Sequence, residues 1–251
     1  MLPVAYVHGM TSPKATAIVN AASFDPSPIA PGSLVSIFGS QLSPREWKAT
    51  TFPARPLQNW VTAIFSVGGQ DRVANIVYES PNQLNVQVPT DLPQGFGQLK
   101  INNPTQSPNS TTPSTTIPIA VRGASPGIFT FGDNRAVVQN PNGRVNTPTE
   151  PARPGDVVVA YLTGQGPGDY LLPTGEPAPM NRIIRIAFSS RATLGGIPVE
   201  LPFIGLTPGF VGLAQANIRV PAIPPGDYPL QIEIDGAKSN SAVISVGPLP
   251  H

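Results

Sequence analysis

Two histidines, His8 and His251, and no cysteine make up the whole supply of imidazole and thiol in this 251-residue chain. Cysteine nucleophiles and cysteine-bound zinc are therefore excluded. A serine nucleophile needs a general base beside it, and both imidazoles sit near a chain end, away from any carboxylate cluster in sequence. The notable acids of the C-terminal half, Asp156, Asp169, Glu176 and Asp235, are scattered. Hard cations need several convergent oxygens, and no Asp-x-Asp-x-Asp run supplies them. Gly164-Gln165-Gly166-Pro167-Gly168 is glycine-rich. It lacks the Lys and the following helix that gather backbone N–H groups around a phosphate, so it reads as a loop needing positive φ. Asp156 reads as a turn residue at a strand start, matching Ser33. The expectation is a protein that is not an enzyme, with no catalytic residues, no metal and no cofactor.

What remains is the chemistry of binding and assembly. Trp47, Phe52, Trp60 and Tyr170 offer flat apolar faces of the kind on which a sugar ring stacks. Trp47 and Phe52 fall in a long connection, residues 40–59, where binding residues concentrate. The same rings could instead close the open end of a sandwich core. Asn109-Ser110-Thr111 matches the glycosylation pattern inside a Ser/Thr-rich loop, residues 105–116. The N-terminal arm carries Val4, Tyr6 and Val7. Such an arm could add a strand to the open sheet edge of a neighbouring copy, or pair with its own domain.

The elements that must position these residues come from a pattern that occurs twice. Residues 31–39 read Pro-Gly-Ser-Leu-Val-Ser-Ile-Phe-Gly, and residues 154–164 read Pro-Gly-Asp-Val-Val-Val-Ala-Tyr-Leu-Thr-Gly. Each copy then has a Gly-Gly turn, at Gly68-Gly69 and Gly195-Gly196. Each later reaches an alternating strand ending in Val-Pro, at Val88-Pro89 and Val220-Pro221, with a Pro-x-Gly turn beyond it. The period of two along Leu230, Ile232 and Ile234 is that of a half-buried strand. Strands are expected at 33–38, 61–67, 73–78, 83–88, 97–102 and 116–121. In the second half they are expected near 136–139, 156–162, 183–188, 199–204, 213–220, 228–234 and 242–246. The core should draw on Leu34, Ile37, Leu84, Val86 and Val88, and on Val157, Val159, Ile218, Val220 and Ile232. The fold class is all-β: two tandem immunoglobulin-like β-sandwich domains without disulfides. The division is an arm at 1–17, one sandwich at 18–122 and a second at 123–251.

Charged residues are only 12% of the chain and the net charge is +1. Nucleic-acid binding needs a basic patch to displace counterions, and an electrostatically held membrane protein needs a basic cluster; neither is present. No run of about 20 apolar residues predicts a transmembrane segment. Low charge with abundant Thr, Ser, Asn and Pro suits an exported surface protein. Residues 1–17 lack the basic segment and apolar stretch of a signal peptide.

Several segments carry a resemblance to a known family. They are Ile18-Val19-Asn20-Ala21-Ala22-Ser23-Phe24, the stretch Ile29 to Gly39, Ser125-Pro126-Gly127-Ile128-Phe129, Thr163-Gly164-Gln165-Gly166-Pro167 and Pro208-Gly209-Phe210-Val211-Gly212-Leu213. Together they resemble the Solibacter-type uncharacterised C-terminal domain family, found at the ends of large exported bacterial proteins. The resemblance runs from about residue 18 to 247. It implies export and a pair of β-sandwiches, and it implies no catalytic residues. Each half is also similar to the immunoglobulin-like IPT/TIG domain, through Gly-Ser-Leu-Val-Ser-Ile-Phe-Gly and the Val-Pro strand end. The resulting expectation is a secreted, extracellular or cell-surface structural protein. It would be the subunit of a filament or surface assembly, self-associating as a homopolymer linked by strand addition of its arm. The alternative is a carbohydrate-binding or adhesion module with glycans as partners.

Overall fold

The computed structural model describes residues 13–26, 28–52, 61–103 and 116–248. Val4, Tyr6, Val7, Trp60, both histidines and the Asn109 sequon lie outside the described residues. The chain is all-β, and its strands form two immunoglobulin-like sandwiches.

The first sandwich is built from β1 (Lys14–Asn20), β2 (Leu34–Ser40), β3 (Trp47–Lys48), β4 (Thr62–Val67), β5 (Gln70–Val73), β6 (Asn75–Glu79), β7 (Gln83–Gln87), β8 (Gly95–Asn102) and β9 (Ile117–Val121). One of its sheets runs β1-β2-β7-β6-β3 and the other β5-β4-β8-β9. The second is built from β10 (Gly127–Ile128), β11 (Thr130–Phe131), β12 (Arg135–Ala136), β13 (Val138–Gln139), β14 (Val157–Thr163), β15 (Ser190–Leu194), β16 (Ile197–Val199), β17 (Phe203–Leu206), β18 (Ala214–Arg219), β19 (Gly226–Ile234), β20 (Ala237–Lys238) and β21 (Ala242–Val246). Its sheets run β10-β14-β18-β17, with β13 also on β14, and β11-β12-β21-β19-β15-β16, with β20 on β19.

The duplicated sequence pattern is a duplicated topology. The order β2-β7-β6 recurs as β14-β18-β17, and β5-β4-β8-β9 recurs as β16-β15-β19-β21. Both Gly-Gly pairs form the turns of equivalent hairpins, β4–β5 and β15–β16. All four glycines have φ between +59° and +80°, a region that only glycine enters at no steric cost. Ser33 and Asp156 also correspond. Ser33 Oγ donates to Ala30 O at 2.6 Å, and Asp156 Oδ2 accepts from Arg153 N at 2.8 Å, so each side chain ties the turn that feeds the equivalent strand of its sandwich, β2 or β14.

The two copies differ at their first strand. β1 runs along β2 as one strand, with a register shift between Ala15 and Ala17. Its counterpart is broken into β10 and β13, both on β14. The residues between them leave that sheet, form the β11–β12 hairpin and bring β12 parallel to β21. The expected arm at 1–17 reaches into the sheet, since Lys14 to Ala17 belong to β1.

Each sandwich has its own core. The first gathers Val35, Ile37, Phe65, Leu84, Val86, Leu99 and Ile101, and the second Ile128, Val158, Leu162, Ile218, Leu230, Ile232 and Ile244. Three expected core residues take a different place. Val157 and Val159 are half-buried, because the core phase of β14 is Val158, Ala160 and Leu162. An unbroken apolar run such as Val157-Val158-Val159 carries no alternation from which to read its phase. Leu34 is half-buried too, and Val35 and Ile37 take the core positions of β2. The apolar run at 183–188 is not a strand. Arg185 and Ile186 make only isolated bridges, to Gly205 and Gly168. The strand that the turn at Gly195-Gly196 requires is β15, which follows the apolar run.

Candidate functional site

The candidate site is the joint between the sandwiches, where the ends of β1, β2 and β7 meet the end of β14 and the loop beyond it. Thr163 closes β14 and is fully buried. Its hydroxyl donates to Gly212 O at 2.8 Å and accepts the N–H of Leu34 at 2.8 Å, so one side chain ties the second sandwich to the start of β2. Asn20, at the end of β1, works from the other side. Its Oδ1 accepts from Ala22 N at 2.9 Å and Ser23 N at 3.2 Å, closing a local turn. Its Nδ2 donates to Ser125 O at 3.0 Å. Gln87, at the end of β7, accepts the N–H of Gly175 at 2.7 Å. Thr90 N donates to Thr174 Oγ1 at 3.1 Å.

The glycine-rich loop has its place here. Gly164 has φ +82°, and a Cβ on it would lie 1.8 Å from Ser125 O. Gly166 has φ +73°, and its Cβ would lie 2.0 Å from Gly123 O. Both glycines let the loop press against the linker 123–125, so the motif serves backbone approach and not phosphate binding.

Among the described residues, three buried side-chain atoms show no hydrogen-bond partner: Asn75 Nδ2, Gln165 Oε1 and Thr207 Oγ1. Gln165 lines a crevice at the joint, together with Gly32, Gln87, Tyr170, Glu176 and Phe210. Its enclosed space is about 30 Å³. That is room for one or two waters and too little for a sugar ring. A bridging water is the ordinary partner for a buried amide of this kind.

Of the four rings expected to offer a stacking platform, Trp60 lies outside the described residues. Trp47 is half-buried on β3, where it pairs with Glu79 of β6, instead of standing in a loop. Glu79 is buried and bonded to Arg45 Nε at 2.8 Å. Phe52 is exposed. Tyr170 is exposed on the second sandwich, with the Arg182 guanidinium 3.9 Å above its ring centroid. Asp156, Asp169, Glu176 and Asp235 do not form a cluster: no group of three or more His, Cys, Asp or Glu side chains among the described residues could hold a metal ion. No helix among them is long and apolar enough to cross a membrane.

The Arg135 guanidinium bonded to Asp227 at 2.6 Å, helped by the Ser245 hydroxyl, holds the Asp227 carboxyl below its ordinary value. This triad braces β12, β19 and β21 within one sheet. Sequence reasoning missed the residues of the joint, Asn20, Gln87 and Thr163. Two of them stand in segments that carry the family resemblance, yet a lone Asn or Thr has no pattern that marks it as a bridge.

No protein-family model and no curated protein matches the chain. Among solved structures, it is similar to the SGBP-B protein of a Bacteroides ovatus mixed-linkage glucan utilization locus, solved with a mixed-linkage heptasaccharide. That match has 14% identity over 88% of this chain and 44% of that one, with a TM-score of 0.35. It is also similar to SGBP-B from a Bacteroides uniformis xyloglucan utilization locus, at 14% identity over 94% and 49% of the two chains and TM-score 0.27. A third is invasin, a bacterial integrin-binding protein, at 11% identity over 96% and 40% and TM-score 0.24. The chain spans under half the length of each of these proteins.

Proposed function

We propose that the protein is a non-enzymatic structural module of an extracellular or cell-surface assembly, in which the two sandwiches act as one stiff unit. The observation that carries this reading is the joint. Tandem domains move against each other by default. Here Thr163, Asn20 and Gln87 bridge the halves by buried or half-buried hydrogen bonds, and two glycines are fitted against the linker. Such a joint transmits force and keeps a repeat distance, which suits a building block. The near-zero net charge of +1 opposes self-association little. The resemblance to a family of exported proteins supports secretion. Copies would join into a homopolymer by strand addition of residues 1–12, with Val4, Tyr6 and Val7 setting register.

A carbohydrate-binding or adhesion role is the second reading, and it is favoured by the exposed rings of Phe52 and Tyr170. One comparison separates the two. Purified full-length protein is imaged by negative-stain electron microscopy beside a variant lacking residues 1–12. The structural reading expects polymers from the first and dispersed, folded particles from the second. Full-length protein that stays monomeric, and is retarded by polysaccharide in affinity electrophoresis, overturns it in favour of adhesion.

A further inference from the structure

The two sandwiches treat one edge differently, and the difference points to a docking site. β9 and β21 are equivalent strands, each with an outer edge that receives a parallel bridge: Ile29 on Val121 in the first copy, Ala152 on Val246 in the second. The hydrogen bonds correspond as well. Ile29 N donates to Ala120 O at 2.9 Å and Arg122 N to Ile29 O at 3.0 Å; Ala152 N donates to Ser245 O at 3.0 Å and Gly247 N to Ala152 O at 2.7 Å. Beyond that bridge the copies part. In the second, β12 lies parallel to β21 with Arg135 beside Val243, and Val243 N donates to Asn134 O at 2.9 Å. In the first, β1 stays on β2 and no strand among the described residues lies along the rest of β9's outer edge.

The place that β12 fills in one copy is an apolar groove in the other. It is about 320 Å³ and lies between β1 and β9, lined by Ile18, Pro28, Ile29, Phe96, Pro118 and Ile119. Phe96 is 88% exposed, the most exposed large apolar side chain among the described residues. No charged residue lines the groove, so it suits an apolar segment and not an acidic or basic one.

We infer that this groove is the acceptor for residues 2–7 of a second copy of the chain, laid parallel to β9 as β12 is laid parallel to β21. The inference rests on the assembly reading above. The candidate occupant is within the sequence: Leu2-Pro3-Val4-Ala5-Tyr6-Val7 is apolar and uncharged throughout. Val4 and Tyr6 share one face of an extended strand, by period two. Pro118 stands where the second copy has Val243, and a proline has no N–H to give. The added strand therefore cannot repeat the Val243 bond. It donates to the Pro118 carbonyl and depends on its side chains in the groove. The same proline protects the edge against indiscriminate strand pairing, so only a segment with matching apolar side chains is held.

The absence of cysteine makes a clean test. Tyr6→Cys and Phe96→Cys are prepared as two single variants of the full chain, mixed and oxidised. A Tyr6→Cys with Phe131→Cys mixture serves as control, since Phe131 lies on the already filled β11–β12 hairpin. The expected result is a disulfide-linked heterodimer from the first mixture well above the control. Three outcomes overturn the inference: equal yields from both mixtures, no cross-linked product, or closure only within one chain in the double variant Tyr6→Cys/Phe96→Cys. Separately, Phe96→Asp at an exposed position should leave the fold intact and weaken self-association about tenfold, the loss of one anchoring apolar side chain; unchanged association overturns the inference. Polymers without the cross-link would sink the groove and leave the assembly reading standing. The cross-link in discrete pairs without polymers would do the reverse.

Discussion

The hydroxyl of Thr163 accepts the backbone N–H of Leu34 at 2.8 Å, across 129 residues of sequence and from one sandwich to the other. The same oxygen donates to Gly212 O. It stands at the end of β14 and is fully buried.

Replacing Thr163 by Val keeps the shape and removes both bonds. Leu34 N–H and Gly212 C=O are then left buried and unpaired, at a cost of about 1–3 kcal/mol. Chemical denaturation should show this loss, and small-angle scattering should show a broader range of interdomain distances. A variant with unchanged stability and unchanged scattering would remove the joint as the basis of stiffness.

Gly164→Ala should be worse. The left-handed φ of +82° strains any L-residue, and the new methyl would meet Ser125 O at 1.8 Å. A loss of more than about 2 kcal/mol is expected. Gly68→Ala is the matched comparison: φ is +59° and nothing lies within 4 Å. It should cost about 1 kcal/mol from backbone strain alone. Equal effects at the two positions would refute the steric account of the glycine-rich loop.

The phase of β14 is checked by neighbours. Val158 is fully buried and Val159 half-buried. Val158→Ala should cost about 2 kcal/mol and Val159→Ala clearly less. Ile218→Ala, in the same core, should cost about 2–4 kcal/mol. Thermal unfolding of the three variants ranks them directly.

Asp227 gives a pH signature. Arg135 and then Ser245 hold its carboxyl below the ordinary value of 3.8. A depressed value in the folded state adds stability that is full above the ordinary value and fades as pH falls through the folded one. Asp227→Asn should therefore lower Tm at pH 7, and the gap to the parent should close as pH drops below 3.8. The effect is small, since the carboxylate is 47% exposed and water screens the pair. A gap that persists unchanged at pH 2.5 would assign the effect to packing and not to charge.

The sequence by itself determined the all-β class, the duplication and most strand positions, because these rest on local physics. Gly68-Gly69 and Gly195-Gly196 demand tight turns, and alternation along Leu230, Ile232 and Ile234 specifies a buried face within a few residues. It also excluded thiol chemistry, by composition alone. Where the local signal was flat, the sequence misled. Val157-Val158-Val159 gave no phase, and the apolar run at 183–188 looked like a strand although β15 follows it. Only the tertiary structure decided the joint and the groove. Thr163 and Leu34, Asn20 and Ser125, and Gln87 and Gly175 are 129, 105 and 88 residues apart, and a single hydrogen bond leaves no periodic trace at such separations. That no described strand covers β9's edge beyond Ile29 became visible only beside the covered edge of β21, since edge pairing is a property of what lies next to a strand and not of its residues.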